Sequence, residues 1–244
     1  MEAGFIRERY KIVHTLDSAP DYVCLEAINI LDREKRSCLL NVYEGDLRRE
    51  YLPYYDQLQS LPSFLEAFLD GDRLVIAFEL CAGQTIDQMF YRGASHAWQT
   101  RLAYADLLFE KALSLADAPP AIGCAAMLSE NLFFDADPAQ VRLRFKLLPM
   151  EGMNPRELVL LTSDQAKKIL LRRFASPGAE LDFLTLLDRG EAENIVSLYG
   201  LWRVWRERIR ESYEALEEKS FIRRGLALGW GHLGRWQQRQ YRGR

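Results

Sequence analysis

Histidine is scarce in this chain of 244 residues: only His14, His96 and His232 are present. Metal centres and histidine-assisted nucleophiles need ligands or partners at short, regular spacing, and none of the three has such spacing to another histidine or to a cysteine. The four cysteines, Cys24, Cys38, Cys81 and Cys124, form no C-x-x-C pair and each lies in an apolar stretch. That is the setting of a reduced, buried core thiol. No metal, cofactor or thiol chemistry is therefore expected. Charge of one sign is also missing: the formal net charge is −3, so bulk composition makes no electrostatic case for nucleic acid or for a membrane surface. No stretch approaches the roughly 18 uninterrupted apolar residues of a membrane span, and the N-terminus, with Glu2, Arg7, Glu8 and Arg9, lacks the apolar run of a signal peptide. A cytoplasmic protein is expected. Glycine is absent between Gly4 and Gly45, which excludes a glycine-rich phosphate loop from that stretch.

What is present is 48% hydrophobic residues, enough for a sizeable core. Apolar runs at Tyr10 to Leu16, Tyr22 to Ile30, Cys38 to Tyr43, Phe64 to Leu69 and Arg73 to Leu80 predict five strands. Asp70-Gly71-Asp72 predicts a tight hairpin between the last two, because glycine takes positive φ freely. Leu47 to Leu61 has helical spacing, with Pro53 in its first turn or at a kink. After Gly83 the pattern turns helical. Trp98, Leu102, Ala105, Phe109, Ala112 and Ala116 share one face of a helix that Pro119-Pro120 ends. Leu132 to Phe134 and Val141 to Leu148 predict a second, smaller hairpin around Asp135-Ala136-Asp137-Pro138, and most of the chain beyond Pro155 is expected to be helical.

This order of elements resembles the protein kinase fold, and landmark residues fall in the same order. Arg9-Tyr10-Lys11-Ile12 looks like the family's first strand. The run from Phe68 to Leu80 looks like its fourth and fifth strands, and Gly83-Gln84-Thr85-Ile86 like the helix start after the hinge. Leu128-Ser129-Glu130-Asn131-Leu132-Phe133-Phe134 resembles the end of the catalytic loop. The resemblance implies an α+β, two-lobed fold: a five-stranded antiparallel N-lobe (1–82), a mainly helical and reduced C-lobe (83–194), and an added helix with a basic extension (195–244).

The same resemblance implies that the catalytic positions are degenerate. Phosphoryl transfer depends on a few charged side chains and metal ions in fixed places. Here the strand lysine aligns with Asn41, which carries no positive charge. The catalytic-base aspartate aligns with Ala126 and the metal-binding aspartate with Phe145. Only Asn131 keeps the family residue. Glu50 is the nearest candidate for the helix glutamate, and Asp17 and Asp21 flank the turn where phosphate would lie.

In the C-terminal region Ile195, Leu198, Trp202, Trp205, Ile209, Tyr213 and Leu216 recur at helical spacing. From Leu201 onward eleven Arg or Lys face five Glu, a charge of +6. Trp202, Trp205 and Ile209, with Arg223, Arg224, Trp230, Arg235 and Trp236, are the expected partner-binding residues, suited to a protein partner, an acidic surface or an anionic membrane. The expected function is a catalytically inactive, kinase-like module that scaffolds or regulates a signalling assembly. The alternatives are a divergent nucleotide-dependent transferase using Asp135, Asp137 and Glu151, and a peripheral membrane adaptor anchored by the basic tail.

Overall fold

The protein is described from a computed structural model over residues 4–91, 93–136, 139–148, 151–171, 179–188 and 194–217. Two compact units are present, residues 1–202 and 203–244. The first begins with an antiparallel sheet of β1 (Phe5–Ile6), β2 (Tyr10–Ala19), β3 (Tyr22–Asn29), β4 (Ser37–Tyr43), β5 (Phe64–Asp70) and β6 (Arg73–Glu79), in the order β1-β2-β3-β4-β6-β5. The sheet thus has six strands where five were expected. The addition is the two-residue β1, which folds back on Tyr10 and Lys11 through Arg7 and Glu8, both at φ 52°. Two residues are too few to show a period of two, so no alternation marks this strand.

The alternation of β3, β4 and β6 sends Leu25, Ala27, Leu40, Val42, Val75 and Ala77 into one buried cluster with Tyr10 and Phe68. The sheet curls around it until β2 meets β5. Tyr10 stacks on Phe68 with ring centroids 6.0 Å apart, and Arg7 lies 4.3 Å over the same Phe68 ring. The outer edge of β5 is occupied by side chains: the Arg7 guanidinium donates to the Leu69 carbonyl at 2.8 Å and the Tyr55 hydroxyl to the Ala67 carbonyl at 3.4 Å. Gly71, at φ 59°, makes the two-residue turn between β5 and β6, as its sequence setting predicts.

The expected helix after β4 is two short ones, α1 (Gly45–Tyr51) and α2 (Tyr55–Gln59), joined by a 3-10 turn over Leu52–Tyr54. Pro53 accounts for the break, since it has no N–H to donate. Tyr51, Leu58 and Leu61 are its buried residues. Gly45, at φ 47°, packs its α-carbon against the Asp21 carboxylate, where an added Cβ would lie 2.5 Å from Oδ2.

Beyond the sheet come β7 (Gln84–Thr85), α3 (Ile86–Met89), α4 (Trp98–Leu113), α5 (Pro120–Ala126), β8 (Leu132–Ala136), β9 (Ala139–Leu143), α6 (Pro155–Leu170), α7 (Ala179–Leu186) and α8 (Leu198–Glu217). β7, β8 and β9 form a separate three-stranded sheet. Thr85 and Gln88 cap α3 reciprocally, satisfying two N–H groups that a helix start leaves free. α4 ends at Leu113, before Ala116, which is exposed. Its buried face includes Arg101, with no exposed surface at all. The Arg101 guanidinium donates to the carbonyls of Ile169 at 2.6 Å, Leu171 at 3.3 Å and Ala94 at 3.2 Å, joining α4 to the end of α6. All four cysteines are free and buried. Among the described residues no helix is long and apolar enough to cross a membrane.

Candidate functional site

Asn41 lies in the middle of β4 and is fully buried. A buried amide needs partners for its oxygen and nitrogen, and two of its three lie 104 to 106 residues along the chain. Its Nδ2 donates to the Phe145 carbonyl at 2.8 Å, and its Oδ1 accepts from the Leu147 N–H at 2.8 Å and from the Tyr22 hydroxyl at 2.8 Å. One side chain thereby plays the part of a neighbouring strand. The Tyr43 hydroxyl adds a bond to the Leu147 carbonyl at 2.8 Å.

The segment held in this way alternates. Phe145 and Leu147 are completely buried, while Lys146 points the other way. Phe145 stacks on Phe78 of β6 with centroids 4.8 Å apart and planes 22° apart. Tyr22 and Tyr43 pack at 5.4 Å, and Tyr43 stacks on Tyr51 at 5.3 Å. Burial pushes the phenols of Tyr22 and Tyr43 well above the ordinary range and the Cys24 thiol up to about 12. Tyr22, Tyr43 and Cys24 are therefore held in their neutral forms.

Asn131, fully buried, completes the junction from the other side. Its Nδ2 donates to the carbonyls of Ala125 at 2.7 Å and Lys146 at 3.1 Å, and its own carbonyl accepts from the Arg144 N–H at 2.8 Å. Ala126 is the last residue of α5 and is buried. The structure thus brings together Asn41, Asn131 and Phe145, three of the four positions singled out from the sequence, with Ala126 next to the Ala125 carbonyl that Asn131 holds.

Lys146 was not foreseen. Its ammonium lies 3.0 Å from Asp17 of β2 and 2.5 Å from Glu130. Burial acts to lower the ammonium, but its hydrogen bonds with Glu130 and Asp17 prevail and hold it above the ordinary value. The Lys146 hydrogen bond in turn holds the Asp17 carboxyl below its ordinary range. The signal in the sequence was one lysine between two apolar residues, the alternation of an extended segment with a single face buried. Asp21, the second carboxylate of that turn, accepts from the Asp46 N–H at 3.3 Å, at the start of α1.

The lowered Asp17 pKa stabilises the fold above roughly pH 3.9, and that stabilisation is lost as pH falls through the lower folded value. The raised Lys146 pKa stabilises it below roughly pH 10.4 and ceases to do so as pH rises through the folded value. Lys146→Met is expected to cost roughly 1 kcal/mol near pH 7 and progressively less as pH falls below about 3.9, as read by urea unfolding across that range.

The other candidates are placed differently. Glu50 is exposed on α1. Asp135 is ion-paired to Arg142 at 2.7 Å, Glu151 is exposed, and Asp137 lies outside the described residues. In α8 Trp205 is fully buried, while Trp202 and Ile209 are partly buried. Arg223, Arg224, Trp230, Arg235 and Trp236 lie outside the described residues. Among the described residues no group of three or more His, Cys, Asp or Glu side chains could hold a metal ion.

No family model matches the sequence, and no curated protein does. Solved structures do match. Two crystal structures of the PknI kinase domain of Mycobacterium tuberculosis, both double mutants, superpose with a TM-score of 0.57. They are 11% identical to this chain, cover 85% and 86% of it, and are themselves covered over 98% and 99% of their length. The fold is kinase-like. At that identity the likeness carries the path of the chain and leaves its chemistry to be argued from the residues.

Proposed function

We propose that this kinase-like domain is a pseudokinase, two-lobed, with residues 1–82 as the sheet lobe and 83–194 as a reduced helical lobe, and that it scaffolds or regulates a protein assembly by binding. The observation that carries this reading is the bonding of Asn41. A lysine at that position would present a cation to phosphates, whereas the Asn41 amide is used up on the Phe145 carbonyl, the Leu147 N–H and the Tyr22 hydroxyl.

The residues present do not fit a magnesium-nucleotide complex. Phe145 offers a ring stacked on Phe78 where a metal needs a carboxylate oxygen. Asn131 directs its amide nitrogen into the Ala125 and Lys146 carbonyls and keeps Oδ1 buried without a hydrogen-bond partner, a single neutral oxygen where a magnesium ion needs carboxylate ligands as well. Asp17 and Glu130 both pair with Lys146, a cation built into the chain, which already occupies the place a metal ion would take between them and leaves one net negative charge. Binding is then the role left to the surface.

The test is thermal unfolding with ATP and magnesium. A ligand that binds only the folded state at 100 times its Kd adds about 2.7 kcal/mol. The expected result is no change in Tm at millimolar nucleotide, with or without the metal, and no phosphate transfer to a generic acceptor protein. A magnesium-dependent rise in Tm that Asn131→Ala abolishes would overturn the proposal.

A further inference from the structure

One end of the curled sheet opens into a cavity of about 470 Å³, away from Asn41 and Phe145. It lies where β2, β4 and β5 begin and where β3 and β6 end, so five strands contribute to its wall. Tyr10 and Cys38, each 1% exposed, form its floor. The Arg9 guanidinium and the Tyr10 hydroxyl both bond Glu66 and close one side. This volume falls within the range of small-molecule and side-chain pockets.

The mouth shows what chemistry it recognises. Arg36 carries its guanidinium, 66% exposed, among three carboxylates: Asp32 at 3.1 Å, Glu34 at 3.3 Å and Glu79 at 3.9 Å. Exposed pairs of this kind hold weakly and exchange with solvent. The lining as a whole has two arginines against three carboxylates, one negative charge in excess. Leu65, 46% exposed, and Leu80 line the same cavity and offer apolar surface to an alkyl stem. We propose that this cavity is a docking site for an arginine side chain of a partner peptide, its guanidinium shared by Asp32 and Glu79 in place of Arg36 and its stem lying on Leu65 and Leu80.

A planar guanidinium suits the site better than a point charge, because its fork can engage two carboxylates at once. Arg36 is then an internal competitor, and its removal strengthens binding. The inference names a partner chemistry for the binding role proposed above. Its test involves no nucleotide, so the two readings fail separately.

The experiment is an amide NMR titration of the full chain with the peptide acetyl-Leu-Arg-Leu-amide, with its citrulline analogue, and with free arginine and spermidine as small-molecule arms. The arginine peptide is expected to give saturable shifts at Ser37, Glu66 and Glu79, and the citrulline peptide at least tenfold weaker ones. Asp32→Asn with Glu79→Gln should weaken the arginine peptide tenfold or more while leaving the rest of the spectrum unchanged. Arg36→Gln should tighten it several-fold. Equal binding of the citrulline peptide, no saturable shift, or weaker binding to Arg36→Gln would overturn the inference. Saturation by spermidine or free arginine without the peptide would overturn it in favour of a free amine ligand.

Discussion

Replacing Asn41 with leucine, nearly the same in volume, is expected to lower the unfolding free energy by about 3 kcal/mol or more, because each buried donor or acceptor left without a partner costs about 1–3 kcal/mol. Three groups lose their partner at once: the Phe145 carbonyl, the Leu147 N–H and the Tyr22 hydroxyl. For a domain of this size the loss corresponds to a fall in Tm of roughly 6–12 °C. Asn41→Asp separates hydrogen bonding from packing. Ionised, its carboxylate can accept from Leu147 and Tyr22 but faces the Phe145 carbonyl with no hydrogen to give. The folded state therefore raises the pKa of this aspartate above its unfolded value of about 3.9. The variant should stand nearest the parent protein at low pH and fall away as pH rises through that value. Chemical unfolding at pH 4 and pH 8 reads the difference, and a pH-independent deficit for Asn41→Asp would show that the bond to Phe145 carries no weight.

Arg101→Met should have an effect of similar size or larger, about 4 kcal/mol, since hydrogen bonds to a charged group contribute about 1.5–3 kcal/mol each. Methionine keeps much of the volume but leaves the Ala94, Ile169 and Leu171 carbonyls without that donor. The loss stays below the sum of the bonds because burying a guanidinium is itself costly. Arg101→Lys should fall between the two. A single ammonium cannot reach across as two guanidinium nitrogens do when one bonds Ala94 and the other Ile169. Guanidinium chloride unfolding, followed by tryptophan fluorescence and by far-UV dichroism, would measure it. A loss under 1 kcal/mol would mean that water satisfies those carbonyls.

These two residues also show what the sequence makes legible. Arg101 falls on the same face as Ala105, Phe109 and Ala112, three to four residues from Trp98, so its spacing pointed inward while its charge pointed outward. What settles the matter is the pair of carbonyls at Ile169 and Leu171, about 70 residues away and beyond the reach of any periodic pattern. The strands of the first sheet were legible because β3, β4 and β6 are apolar runs of seven or eight residues, β4 and β6 being buried almost throughout. β1 was not, being two residues long.

The candidate site divides in the same way. That Asn41, Ala126, Asn131 and Phe145 mark its positions could be taken from local landmarks. That Asn41 bonds the backbone of Phe145 could not, since nothing local records a contact 104 residues apart. The apolar alternation from Val141 continues to Leu148, yet β9 ends at Leu143. The Arg144 N–H bonds the Asn131 backbone carbonyl, and from Phe145 to Leu147 the backbone is met by the Asn41, Asn131 and Tyr43 side chains instead of a strand. A pattern of two cannot distinguish a ladder from its side-chain substitute.

The outer edge of β5 has one more consequence. An open strand edge is a template on which a second copy of a chain can grow, and proteins commonly block it with charge, proline or a bulge. Here the Ala67 and Leu69 carbonyls, two residues apart and facing the same way, are already engaged by Tyr55 and Arg7. An incoming strand would have to displace a phenol and a guanidinium before forming its first bonds. The exposed Leu65 and Leu69 on this strand can therefore be left on the surface without making this edge a template for fibril-like growth.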